Sequence, residues 1–230
     1  LNLVADLLLD AAAFRLTAPP SNDDTEKATQ TLRSTIRQRE QQCVLLLLQH
    51  YNFHSEDYRD DALPLEGEKW GMDLFSPQAL KDAGIDVGLG AATGAAAGFT
   101  VDLMTGGLSL GAGTLAGAAA GGLWQGAERY GKRLLGRLRG YRELSLNDQV
   151  LRLLAARQLT LIAALEQRGH AATEPIQINK NDRAIVQNKQ LPEALLEARA
   201  NPNWSSLSEA YENTPRRRRR LQELARQLED

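Results

Sequence analysis

Histidine and carboxylate residues that could bind a metal ion are few, and they meet at one place in the sequence. His50 and His54 lie four residues apart, a spacing that puts two imidazoles on one face of a helix, and Glu56 and Asp57 follow them. The zinc-protease pattern H-E-x-x-H needs a glutamate at position 51, where Tyr51 stands. We therefore predict ordinary packing or a surface position for the histidines, with no metal site and no catalytic residue.

No stretch of the sequence has the form of a phosphate-binding loop. That loop reads G-x-x-x-x-G-K-[ST], because its lysine and hydroxyl handle phosphate and magnesium. The single cysteine, Cys43, lies in an apolar stretch, is predicted to be buried and excludes an internal disulfide. We predict no enzymatic activity and no cofactor for this segment, in a reducing, cytoplasmic compartment.

Positive charge is concentrated in two runs, although the formal net charge is only -2. Both runs are predicted to bind anionic lipid or a partner. Five arginines at a helix start oppose the helix dipole, so they need compensation from acidic residues such as 56–61, from anionic lipid or from nucleic acid. A solvated or internally paired face is the alternative. The two runs are Arg129, Lys132, Arg133, Arg137, Arg139 and Arg142, and then Arg216, Arg217, Arg218, Arg219 and Arg220.

The pattern G-x-x-x-G-A-A-A-G occurs twice, beginning at Gly90 and at Gly113. Glycine at every fourth position leaves one helix face without side chains, so a second helix can approach closely. We predict an antiparallel helical hairpin packed through these stripes. The stripes are Gly90, Gly94 and Gly98 in the first segment and Gly113, Gly117 and Gly121 in the second.

The sequence leaves two environments possible for this hairpin, a lipid bilayer and the interior of a protein. Residues 103–127 carry no charge, which is long enough for a bilayer, and the first basic run follows and suits anionic headgroups. Glycine and alanine are only weakly apolar, however, and Asp86 and Asp102 leave only 87–101 uncharged in the first segment. A membrane hairpin, a hairpin packed within a soluble domain and a hairpin that switches between the two are the alternatives.

Apolar residues recur at helical spacing along most of the chain, so the predicted fold class is all-α. One candidate strand is PIQI, within the polar stretch 171–190. We expect one helical domain that is part of a longer chain, since it opens at Leu1 without methionine. Its parts are 1–76 with the N-terminal helices and an acidic connector, 77–144 with the hairpin and basic flank, and 145–230 with the C-terminal helices. The predicted helices are 1–17, 23–52 after a cap at Ser21 or Asn22, 78–104, 107–139, 145–168 after a cap at Ser145 or Asn147, 192–200, and one from Thr214-Pro215.

The stretch DLMTGGLSLGAGTLAGAAAGGLWQGAERYGKRLLGRLRGYREL (102–144), followed by VLRLLAARQL, resembles an uncharacterised domain of bacterial GTPases. The similarity is densest over residues 70–175, in the strings GGLSLGAG, WQGAERYG and LRGYREL. The resemblance implies an Era-like GTP-binding domain upstream on the same chain. GTP and magnesium are then expected only in that upstream domain.

The function predicted from these features is that of a non-enzymatic effector or regulatory domain of a bacterial GTPase. Its expected partners are its own upstream GTPase domain and an anionic membrane surface or protein, at the cytoplasmic side of the inner membrane, either peripheral or inserted. One alternative is an RNA- or ribosome-binding module that uses Arg216–Arg220, ranked lower because no aromatic residues interleave the arginines. Another is a self-assembly module, a homo-oligomer in which glycine stripes pair between chains.

Overall fold

The computed structural model describes residues 1–53, 64–66, 68–85, 99–103, 141–169 and 190–229. Several sequence predictions concern residues outside these ranges and stay predictions. They are the histidine and carboxylate group beyond His50, both glycine stripes, the basic residues from Arg129 to Arg139, and the candidate strand PIQI.

Helices dominate the described part of the chain, as the apolar spacing predicts. Within the described ranges there are six α-helices and one short 3-10 helix. They are α1 (Asn2–Ala13), α2 (Asn22–His50), α3 (Pro77–Asp82), α4 (Asp148–Gly169), α5 (Glu193–Ala200), the 3-10 turn Pro202–Trp204, and α6 (Pro215–Gln227).

The start of each long helix after α1 follows a short polar side chain that caps it. The Thr214 hydroxyl accepts from the Arg217 amide at 3.1 Å, and Pro215 takes the first helical position. Asn147 Oδ1 accepts from the Val150 amide at 2.9 Å, and Ser21 Oγ accepts from the Asp24 amide at 3.4 Å. Both helix starts were predicted with these residues as candidate caps.

A small sheet corrects the all-α prediction. It contains β1 (Arg15–Ala18), β2 (Phe99–Leu103) and β3 (Arg142–Leu146), in the order β1-β3-β2. β1 and β3 run antiparallel, with Arg15 opposite Ser145 and Ala18 opposite Arg142. These strands have only four or five residues, too short for alternation to stand out beside long helical patterns.

Three predicted helix boundaries are wrong because of this sheet. The first helix ends at Ala13 rather than at 17, since the chain turns extended at Phe14 and enters β1. The segment 78–104 is not one helix, because α3 ends at Asp82 and β2 occupies Phe99–Leu103. Gly84, just after α3, has a φ of +68°, which suits a residue without a Cβ. The predicted helix start at residue 145 lies in β3, and α4 begins at Asp148 with Asn147 as its capping side chain.

Contacts along the backbone divide the chain into two compact units. The larger unit comprises residues 1–14, 33–99 and 146–230, and the smaller comprises 15–32 and 100–145. In the larger unit α1 is central: it contacts α4, α5, α6 and the 3-10 turn. Val4, Leu7 and Leu8 are fully buried there. In the smaller unit Arg15 and Glu143 pair across the two strands at 2.7 Å.

The apolar C-terminal half of α2 is buried on one side only. Cys43, Val44, Leu47 and Leu48 are buried, but Leu45 and Leu46 are 41% and 43% exposed. The physical reason is helical geometry, which turns four consecutive leucines around the axis while the partner elements cover one face. None of the helices within the described residues is long and apolar enough to cross a bilayer.

Candidate functional site

The arginine run at the start of α6 is the predicted site that the structure describes in full. Helical geometry sends five consecutive side chains in different directions around the axis. Arg217 is 2% exposed, Arg220 is half-buried, and Arg216, Arg218 and Arg219 lie at the surface. The run is therefore not one uniform basic patch.

Arg217 closes a ring of two carboxylates and two guanidiniums inside the larger unit. We name this set, Asp6, Asp10, Arg39 and Arg217, the Asp10 ring. Arg217 Nη2 donates to Asp6 Oδ1 at 2.7 Å and to Asp10 Oδ1 at 2.9 Å. Arg39 donates from Nη2 to Asp6 Oδ2 and from Nε to Asp10 Oδ2, both at 2.8 Å. The ring is electrically neutral and joins α1, α2 and α6.

Asp10 is fully buried, and all of its acceptor capacity is used. Besides the two arginines it accepts from the Ser206 amide at 2.8 Å and from the Ser206 hydroxyl at 2.6 Å. An ionised carboxylate has about four acceptor positions, and these four bonds fill them. These bonds connect Asp10 to α2, to α6 and to Ser206, so the carboxylate holds distant parts of the chain together.

Arg217 has further contacts that fix its orientation. Its Nε donates to the Trp204 carbonyl at 2.6 Å, and its guanidinium carbon lies 5.3 Å from the centre of the Tyr211 ring. Burial alone lowers the pKa of Arg217, but the hydrogen bond from the guanidinium to Asp6 and the charges of Asp6 and Asp10 raise that pKa overall. Arg217 is charged at every physiological pH and has no exposed surface to offer an external anion.

A second group of charges lies at the surface between α5 and α6. We name this set, Arg216, Arg220, Glu193, Glu197 and Glu223, the Glu197 cluster. Arg220 donates to Glu197 Oε2 at 2.5 Å, to Glu193 Oε1 at 2.7 Å and to Glu223 Oε2 at 2.7 Å. Arg216 also pairs with Glu197. Burial lowers the pKa of Arg220, yet the hydrogen bonds to Glu223, Glu197 and Glu193 raise it well above its usual range.

The two remaining arginines of the run face solvent. Arg218 Nη1 donates to the Asn213 carbonyl at 2.7 Å, which leaves its charge unpaired within the described ranges. Arg219 has no ion pair with any residue that the structure describes. Carboxylates of α1 and α5 thus pair with Arg216, Arg217 and Arg220, which is the internally paired alternative for these three arginines. The candidate partners at 56–61 lie outside the described residues.

Sequence reasoning missed the carboxylates of both groups, although a signal was present. Asp6 and Asp10 stand four residues apart in an otherwise apolar helix, and Glu193 and Glu197 repeat that spacing in α5. A charge on the buried face of a helix needs a partner of opposite sign. That signal predicts a cation nearby but not which one.

The first basic run is described only at Arg142, in the smaller unit. Its Nη1 lies 3.3 Å from Asn22 Oδ1 and 3.3 Å from Thr25 Oγ1, both neutral acceptors. Arg142 begins β3, which is the hydrogen-bonded neighbour of β2. The segment 104–141 contains the second glycine stripe and the first basic run except Arg142. The residues on either side of this segment belong to neighbouring strands of one sheet.

The structure describes two of the candidate residues for metal and thiol chemistry, His50 and Cys43. Within them, no group of three histidine, cysteine or carboxylate residues could hold a metal ion. His50 lies in the last turn of α2, with its ring edge-on to Tyr51. Cys43 is buried as predicted, and burial raises the pKa of its thiol to about 12, so it is no nucleophile at neutral pH.

Another buried pair joins α2 to α4 and to the loop 68–76. Arg157 Nη1 donates to Glu40 Oε1 at 3.3 Å, and Arg157 Nη2 donates to the Met72 carbonyl at 2.7 Å. Burial raises the pKa of Glu40, and the Arg157 charge opposes that rise. Arg37 holds the same loop through Asp73 at 2.5 Å. These contacts fix the loop against the core, with both Glu40 and Arg157 buried.

Comparison with known proteins places the chain in a family. No curated protein matches it, and no solved structure matches it. A family model described as Domain of unknown function (DUF3482) matches residues 1–226. Since that match extends over nearly the whole chain, the protein belongs to the DUF3482 family.

Proposed function

We propose that this domain is a non-catalytic effector of a bacterial GTPase and docks on an anionic membrane surface through residues 104–141. The observation that carries the proposal is the adjacency of β2 and β3. Two neighbouring strands hold both ends of a segment that contains a glycine stripe and the first basic run. A segment fixed at both ends to a folded sheet is well placed to present its middle to a partner.

The chemistry of the described residues supports a non-catalytic role. The buried carboxylate Asp10 is saturated by donors, Glu40 faces Arg157, and the Cys43 thiol is protonated at neutral pH. Nothing in the sequence matches a phosphate-binding loop, so GTP and magnesium would be bound by an upstream domain of the kind that the resemblance implies.

The sequence of the first basic run supports an anionic surface as the target. Residues 129–142 contain six arginines and lysines and no acidic residue. Basic residues near an anionic membrane each contribute about 1 kcal/mol of attraction, so a run of this size is enough for peripheral binding. The adjoining glycine-rich stretch would supply the apolar contact, on the cytoplasmic side of the membrane.

Vesicle flotation tests the proposal. The protein is mixed with phosphatidylcholine vesicles that contain or lack phosphatidylserine, and the floating fraction is measured. We expect binding only with phosphatidylserine and its loss in the double variant Arg133→Gln/Arg137→Gln. The matched control Lys27→Gln/Lys81→Gln removes the same charge from exposed lysines and should bind like the unmodified chain. Equal, negligible binding to both vesicle types would contradict the proposal.

A further inference from the structure

Helix α6 is attached to the rest of the larger unit more by ion pairs than by buried apolar side chains. Its 13 residues include only three that are buried, Arg217, Leu224 and Ala225, and the first of these is charged. Leu228, just beyond the helix, is 8% exposed. Most of the specific contacts at its N-terminal half are ion pairs from Arg216, Arg217 and Arg220 to carboxylates of α1 and α5.

The composition of α6 is that of a helix suited to a membrane surface. Five arginines occupy its first half, and Leu221, Leu224 and Leu228 form an apolar stripe at helical spacing. Helices that lie in the headgroup region combine an arginine- or lysine-rich polar face with an apolar stripe and low overall hydrophobicity. In the folded domain Leu224 and Leu228 face the core. Arg217 and Arg220 are covered and bind carboxylates, whereas Arg216, Arg218 and Arg219 stay at the surface.

We propose that α6 is a masked membrane-binding helix, and that the carboxylates of the Glu197 cluster and the Asp10 ring occupy guanidiniums that anionic lipid would otherwise bind. This inference rests on the proposed function, because it assigns regulation to the same membrane docking. It adds a second, conditional contact to the one made by residues 104–141. The masking is an autoinhibitory contact within the larger unit.

The two charge groups have different strengths, which sets the order of release. Arg216 is 64% exposed in its side chain, so its pair with Glu197 is screened by water and salt. The Asp10 ring is buried, and opening it leaves desolvated charges without partners. Lipid phosphates and carboxylates accept the same bidentate bonds from a guanidinium as glutamate does. Arg216 and Arg220 therefore exchange glutamate for lipid first. The Asp10 ring still attaches α6 to the domain at that stage and opens only afterwards.

The test compares variants of the full chain on vesicles with and without phosphatidylserine. The mask variant Glu193→Gln/Glu197→Gln removes the two α5 carboxylates that pair with Arg216 and Arg220, keeps side-chain shape and leaves Arg220 with Glu223 alone. Glu26→Gln/Glu209→Gln is the matched control, since both residues are exposed and the net charge changes by the same amount. We expect the mask variant to partition to anionic vesicles about tenfold more strongly than the control. Adding Arg216→Gln/Arg220→Gln should abolish that gain.

Several outcomes overturn the inference. The inference is wrong if the mask variant and its control partition equally to anionic vesicles. It is also wrong if the mask variant binds more strongly and keeps that gain after Arg216 and Arg220 are replaced. A gain in binding to a homopolymeric RNA but not to vesicles overturns the membrane assignment. An unreactive Cys43 thiol confirms that each variant is folded, since that side chain is buried.

The experiment separates this inference from the proposed function. The substitutions Arg133→Gln/Arg137→Gln are added to the mask variant. These two added substitutions remove positive charge only from residues 104–141. If the unmodified chain does not bind vesicles but the mask variant does so through Arg216 and Arg220, the proposed docking segment is wrong and the masked helix stands. If the unmodified chain binds through Arg133 and Arg137 and the mask variant binds no more strongly, the proposed docking segment stands and the masked helix is wrong.

Discussion

Helices α1 and α6 touch each other, yet different forces hold them. Nine of the 12 residues of α1 are buried, eight of them apolar, while three of the 13 residues of α6 are buried and one of those is Arg217. Apolar burial is insensitive to moderate salt, whereas ion pairs near the surface are screened by it. The contrast teaches that a helix can be firmly placed in a structure and still be held by contacts that a charged partner can replace.

The contrast is sharpest within the arginine run itself. We expect Arg217→Ala to lower the free energy of unfolding by about 3–5 kcal/mol, because it leaves Asp10 buried with half of its charge partners removed. The same substitution at Arg219, an exposed residue of the same helix, should change it by less than about 0.5 kcal/mol. Urea unfolding measures both, and similar losses at the two positions would break the comparison.

Core packing of α1 gives the second largest effect. Leu8→Ala removes a fully buried side chain and should lower the free energy of unfolding by about 2–5 kcal/mol, with the same loss at low and high salt. Leu46→Ala is the control in α2, where the leucine is 43% exposed, and its effect should stay below about 1 kcal/mol. A strong salt dependence of the Leu8→Ala loss would argue against apolar attachment of α1.

A smaller effect is expected at the cap of α6. Thr214→Ala removes the acceptor for the Arg217 amide and should lower the free energy of unfolding by about 0.5–2 kcal/mol. Thr214→Ser keeps a hydroxyl at the same place and should restore most of the loss. Thermal unfolding of the three proteins decides the point, and a loss in Thr214→Ser equal to that in Thr214→Ala would show that the cap is not the cause.

The buried thiol gives a pH-dependent prediction for the core around α1 and α2. Its pKa rises from 9.0 to about 12 on folding, chiefly through burial, so the folded state keeps the proton that the unfolded state loses. The stabilisation is therefore complete below pH 9 and is lost as pH rises toward 12. Cys43→Ala should flatten the decline in stability between pH 8 and pH 10.5 in urea unfolding. An unchanged decline would place its cause elsewhere.

Local signals in the sequence were enough to predict the capping residues of α2, α4 and α6, but they could not predict contacts between residues far apart in the chain. The caps at Thr214 and Asn147 are set by neighbouring residues, so their type and position predict the helix starts. The partners of Arg217 lie 211 and 207 residues away, and no local pattern connects them. Likewise β1 has four residues and depends on pairing with β3 far along the chain, so it was read as the end of a helix.

Amide hydrogen exchange of α1 and α6 at increasing salt tests the central claim most directly. We predict that raising KCl from 0.05 M to 1 M, which shortens the Debye length from about 14 Å to about 3 Å, speeds exchange in residues 215–227 and leaves residues 2–13 protected. Exchange in α6 that is as slow as in α1 and unaffected by salt would contradict this prediction, because the exposed ion pairs of the Glu197 cluster would then contribute little to holding the helix.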